Sequence, residues 1–163
     1  MNLLMWVIGI IALLGSALIG GVFFAFSNFV MKALARVPCA EGVAAMQSIN
    51  VAVINRSFIA AFMGTAVLSL GVIGLALVQW SDPSAVFFLS AAVFYIVGTF
   101  IVTLFGNVPL NDRLAAVSAT DPDAREVWDH YLARWTMWNH FRAVAAMMAV
   151  LLYTVGLVQN GGA

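Results

Sequence analysis

The sequence predicts an all-α membrane protein, a four-helix transmembrane bundle with both termini outside and two long, partly helical cytoplasmic connections. Three observations predict it. Of 163 residues, 64% are hydrophobic and only 9% charged, with a mean hydropathy of +1.03, whereas soluble domains are about half apolar and about a quarter charged. Four apolar windows are long enough to cross about 30 Å of hydrocarbon, which takes about 20 helical residues. All seven cations, Lys32, Arg36, Arg56, Arg113, Arg125, Arg134 and Arg142, fall within or at the edges of two connections. The length suits a single membrane domain over residues 1–163.

The first span covers Leu3–Met31. It has no cationic n-region and far exceeds a signal-peptide core, so it reads as a retained helix even though Ala33-Leu34-Ala35 resembles a cleavage site. Ala40–Asn55 then reads as helix running into the second span, Ser57–Gln79. Trp80-Ser81-Asp82-Pro83-Ser84 is a tight turn, with Ser81 or Asp82 as the cap of the next helix and Pro83 in its first turn. The third span is Ala85–Phe105. Asp121-Pro122-Asp123 has the form of a helix start, and no breaker follows before Gly156, so one long helix carries Arg125–Arg142 into the fourth span. That span is apolar over Ala143–Val158 and extends back to Trp138. None of the windows alternates like a barrel strand, and helices satisfy their own backbone in lipid. Small residues at four-residue spacing, Ala17/Gly21/Ala25 and Ala60/Gly64, suit close helix packing.

Four spans place both cation-bearing connections on one face, which the positive-inside rule makes cytoplasmic. The expected location is the bacterial inner membrane, as a multi-pass protein. Trp6 and Trp80 then belong to an outer aromatic belt, and Trp128, Trp135 and Trp138 to an inner one. Zero net charge offers no basic footprint for nucleic acid, and the lone Cys39 allows neither an intrachain disulfide nor a cysteine metal site. His130 and His140 share one helix about 15 Å apart, so they cannot ligate one haem. Glu126, Asp129 and His130 lack the second Glu-x-x-His copy that a di-iron bundle needs. The expectation is therefore no metal and no cofactor, with homo-oligomerisation left open.

Polar side chains gather at the cytoplasmic ends of the spans. They are Ser27 and Asn28, then Gln47 and Asn50, then Thr99, Thr103, Asn107, Asn111 and Asp112. Trp135, Trp138, Asn139 and Arg142 follow at i, i+3, i+4 and i+7, one helical stripe, with His140 about 100° from Asn139. Belts and caps do not require this many amides with an arginine, and polar groups at membrane depth face bundle interiors and mark sites. Asn107, Asn111, Asn139 and Arg142 are expected to converge, at least three of them lining one cavity with Trp138.

The segments Gly21–Met31, Met46–Asn50, Asn107–Leu114 and Trp135–Arg142 resemble the anthrone-oxygenase-like family of small four-helix membrane proteins. The most specific part is Asn107-x-Pro109-x-Asn111-x-x-Leu114 followed by Trp135-x-x-Trp138-Asn139-x-x-Arg142. Fungal members oxidise anthrones to anthraquinones with O₂, without metal or flavin. The resemblance implies a cofactor-independent oxygenase of a hydrophobic aromatic, anthrone- or quinone-like substrate. In that reading His140 or Asp112 is the base, and Arg142 stabilises the resulting anion. Asn28, Asn50, Asn107, Asn111 and Asn139 bind the substrate, with Trp135 and Trp138 stacking on it. The alternative is a non-catalytic membrane protein that holds a lipid, quinone or partner helix in the same pocket.

Overall fold

The computed structural model describes residues 3–161, so the expected domain limits at 1 and 163 lie outside it. Within that range the chain forms five helices and no strand: α1 (Leu3–Leu34), α2 (Cys39–Ala52), α3 (Arg56–Val78), α4 (Ala85–Ala115) and α5 (Ala124–Gly161). α1, α3, α4 and α5 are long and apolar enough to cross a membrane. α1 packs against α3 and α5, and α4 against the same two, so the four long helices close a square. Met5, Ile19, Phe62, Val72, Phe88 and Tyr153 fill its interior. Buried hydroxyls there find partners, as lipid demands: Tyr95 donates to the Phe62 carbonyl at 3.1 Å, and Ser69 and Tyr153 share a bond at 3.3 Å.

Several local expectations need correction. α2 does not run into α3: the chain turns at Val53–Asn55, and the Asn55 side chain caps α3 by accepting from the Phe58 N–H at 3.0 Å. Asp82 does not cap α4. Its carboxylate accepts the Ser84 N–H at 2.8 Å and the Ser84 hydroxyl at 2.6 Å, from two residues ahead of Ser84, which holds the cap position, and Pro83 precedes the helix. The Ser84 hydroxyl, then its N–H, hold the Asp82 carboxyl below its ordinary pKa, because both bonds favour the charged form. α5 starts at Ala124 rather than at Asp121 and runs unbroken for 38 residues. The small-residue stripes also lie elsewhere: a Cβ on Gly21 or Gly64 would meet nothing within 4 Å. Close approach occurs instead at Gly98, where an added Cβ would collide with the Ala145 side chain of α5.

Two spans are not plain α-helix. α1 is π-helical over Phe26–Val30, and α4 over Phe94–Ile101 and Thr103–Asn107. An added residue per turn rotates all later side chains about the axis, and such insertions recur at functional sites. All three lie toward the end of the bundle that α2 covers.

Candidate functional site

A second apolar cluster roofs that end of the square. α2 contributes Val43 and Met46, α1 Met31, α4 Leu114, and α5 Val127, Trp128, Tyr131 and Trp135. The Gln47 amide pins α2 down, donating to the Leu114 and Val117 carbonyls at 2.8 Å each. Trp128 stacks on Tyr131 and Tyr131 on Trp135, with ring centroids 5.7 and 5.8 Å apart. Trp128 and Trp135 are thus buried under the roof, whereas Trp6 and Trp80 are exposed. The inner belt expected of the first two is not observed.

Beneath the roof lies a cavity of about 280 Å³, near the lower end of the range for small-molecule sites. Its walls include the rings of Phe23, Phe26, Phe58, Phe62 and Trp135. Its polar lining is Asn50, Thr103, Asn111 and Arg142. The rim carries Ile54, Ile59, Met63, Leu104 and Val108, all exposed, so the mouth opens sideways beside α3 and α4 onto the apolar flank of the spans.

Arg142 is the centre of the polar lining. It is 4% exposed and the one buried charged side chain among the described residues. Its Nη1 donates to Thr103 Oγ1 at 3.2 Å and its Nη2 to Asn139 Oδ1 at 2.7 Å. The guanidinium carbon stands 4.0 Å from the Phe23 ring centroid and 5.2 Å from that of Trp135. Asn139, fully buried, fixes the guanidinium to α1: its Nδ2 donates to the Phe23 carbonyl at 2.7 Å and to Ser27 Oγ at 2.8 Å. Ser27, four residues after buried Phe23, faces inward, and Asn28, four residues after exposed Phe24, faces out; the π-segment shows further on, at Met31, which is buried although it is seven residues from Phe24. On α4, Thr103 donates to the Thr99 carbonyl at 2.7 Å, and Thr99 donates to the Arg142 carbonyl at 3.3 Å. Among the described residues Arg142 Nε has no hydrogen-bond partner, and neither has the buried Oδ1 of Asn107.

A second network lies on the roof side. Asn111 Oδ1 accepts from Tyr131 Oη and from Trp135 Nε1, both at 2.8 Å. Asn50 Nδ2 reaches the same tyrosine hydroxyl at 3.5 Å, the outer limit for such a bond. Asn107 Nδ2 donates to the Trp135 carbonyl at 3.1 Å, behind the cavity wall.

The structure thus brings together Asn50, Asn111, Trp135 and Arg142 on the cavity, with Asn107 and Asn139 supporting them from behind. Only Asn111 and Arg142 of the four expected to converge line it. Asn28, Asp112, Trp138 and His140 lie apart. Trp138 packs over Gly106 and lines an apolar groove with Val97, Phe141 and Val144. At about 100° per residue it lies about 60° from Trp135 and about 100° from Asn139, at the edge of the stripe. His140 is exposed, in a shallow groove with Ser27, Lys32 and Thr136, and Asp112 is exposed on α4. Neither candidate base reaches the cavity, whose lining has no Asp, Glu, His, Lys or Cys among the described residues. Among the described residues no three His, Cys, Asp or Glu side chains gather as a metal site.

Three residues beyond the expected binding set complete the arrangement: Phe23, Thr103 and Tyr131. Tyr131 had a legible signal, since 131, 135, 139 and 142 continue one stripe back by a turn. Phe23 had none, because it is one phenylalanine in a run of apolar residues.

No curated protein and no solved structure matches the chain significantly. Residues 52–152, which carry α3, α4, the cavity's Thr103, Asn111, Trp135 and Arg142, and most of α5, match the family described as anthrone oxygenase. Over the larger part of its length, then, the chain belongs to the anthrone oxygenase family.

Proposed function

We propose that this protein is a membrane-embedded oxygenase of a hydrophobic, anthrone-like aromatic, that the cavity around Arg142 is its active site, and that O₂ is the oxidant without a resident cofactor. The observation that carries the reading is a buried guanidinium in an aromatic-walled cavity of a chain from this family. The cation distribution supports the roofed end as cytoplasmic; a bacterial cell membrane is part of the proposal. The sideways mouth supports loading from the bilayer, where such a substrate concentrates.

The chemistry balances with O₂ alone. An anthrone that loses its ring C–H proton becomes an aromatic enolate, with its charge largely on oxygen. That oxygen sits against Arg142 in a site of low dielectric, where a fixed cation acts far more strongly than in water. The enolate gives one electron to O₂, and the resulting radical and superoxide join through a new C–O bond. The peroxide anion takes up the proton released at the start, and the hydroperoxide then loses its remaining C–H proton and hydroxide, breaking O–O, so anthrone plus O₂ gives anthraquinone plus water. Trp135 and the phenylalanines hold the flat rings.

The test is conversion of an anthrone by purified protein in lipid nanodiscs under isotopically labelled dioxygen. One O₂ consumed per quinone, with label in the new carbonyl, supports the reading. Rates equal to empty nanodiscs across several anthrones reject it. A second reading, binding of a lipid or quinone without catalysis, is favoured by one observation: among the described residues no side chain able to act as a strong base lines the cavity.

A further inference from the structure

We propose that the cavity takes its ligand as a planar aromatic monoanion, the negative charge arriving with the ligand rather than being made by a base in the site. This rests on the reading of the cavity as the ligand site.

The argument starts from charge. Arg142 is the one charged side chain in the cavity lining. Its partners among the described residues are neutral, a threonine hydroxyl, an asparagine carbonyl oxygen and two ring faces, and its Nε has none. A guanidinium does not escape burial by losing its proton, so the cation persists. Burying an ion without a counter-charge costs several kcal/mol. The seven acids are Glu41, Asp82, Asp112, Asp121, Asp123, Glu126 and Asp129, and none is buried or lines the cavity. The missing counter-charge is therefore supplied from outside the protein.

A second donor sits with it. Trp135 Nε1 can only donate, so the atom of Asn111 facing it at 2.8 Å is the oxygen. That oxygen also accepts from Tyr131, which leaves Asn111 Nδ2, on a residue lining the cavity, with no partner among the described residues. The cavity thus offers a cation and an amide donor, against lining carbonyl oxygens already engaged at Asn111. Such a set recognises a carboxylate, phenolate or enolate oxygen. The five aromatic rings of the wall choose a flat ring system over a flexible chain. In the oxygenase reading the substrate enters as its enolate, the proton already lost to water, and the lack of a base among the described lining residues is accounted for.

The experiment is calorimetric titration of the full chain in nanodiscs with an anthraquinone carboxylate, its neutral carboxamide and laurate. None of these is oxidisable by O₂, so the result is independent of whether the protein is an oxygenase. The carboxylate is expected to bind saturably, at least about tenfold tighter than the carboxamide (about 1.4 kcal/mol) and tighter than laurate. Arg142→Lys should keep part of the preference, and Arg142→Gln should abolish it. Equal binding of carboxylate and carboxamide, or binding of neither, overturns the anion assignment. Laurate binding as tightly as the aromatic acid overturns the aromatic one. The oxygenase reading falls separately, by the labelled-dioxygen assay.

Discussion

Asn139→Leu removes the link through which α1 holds the guanidinium, and its cost can be worked from the geometry. Three bonds vanish: Nδ2 to the Phe23 carbonyl, Nδ2 to Ser27 Oγ, and Arg142 Nη2 to Oδ1. Interhelical hydrogen bonds between neutral groups in membranes average about 0.6 kcal/mol, and one made by a charged group is worth about 1.5–3 kcal/mol. Leucine keeps the branched shape and is somewhat bulkier, so no cavity is added and the expected loss is about 3 kcal/mol. Reversible unfolding in mixed detergent micelles measures it. Most of the loss comes from stranding Arg142, so the double variant Asn139→Leu/Arg142→Met should be more stable than Asn139→Leu alone. A loss below about 0.5 kcal/mol, or strict additivity in the double variant, would refute the coupling.

Other consequences are equally direct. A reporter fused at Ala119 should appear cytoplasmic and one at Asn160 extracytoplasmic; the reverse pattern contradicts the orientation drawn from the cations. Met63→Trp fills the rim between α3 and α4, so catalytic efficiency toward an anthrone should fall about tenfold or more, while an exposed site leaves stability within about 0.5 kcal/mol. Unchanged efficiency would argue against the lateral mouth. Gly98→Val drives a side chain into Ala145 and should destabilise the α4–α5 contact by about 1–3 kcal/mol in the same unfolding assay.

The long helices were legible because lipid imposes a length and an apolarity that no other fold needs, and Leu3, Arg56 and Ala85 open spans close to the expected limits. Helix ends were harder. Asn55 is an ordinary cap, but the apolar residues before it, Val51–Ile54, mask the break that frees α2 to become a roof. At the site, spacing on α5 correctly grouped Trp135, Asn139 and Arg142, because 3.6-residue periodicity holds along that helix. It failed for Asn28, which shares the outward face of Phe24; the π-turn over Phe26–Val30 turns Met31 inward from that face, and nothing in Phe-Ser-Asn-Phe-Val announces it. His140 attracted attention by its chemistry alone, and its angular offset from the stripe matches its exposed position.

The central claim is that chemistry occurs at Arg142 inside the cavity and not at the exposed groups outside it. The most direct measurement compares anthrone oxidation by Arg142→Gln, His140→Ala and Asp112→Ala in nanodiscs, each confirmed folded by its unfolding profile. Loss of a preorganised group that stabilises a developing oxyanion costs about 10²–10³ in kcat. Arg142→Gln is predicted to fall by that factor, with His140→Ala and Asp112→Ala near wild type. Full activity in Arg142→Gln, or collapse on removing His140 or Asp112 while Arg142 proves dispensable, would contradict the account.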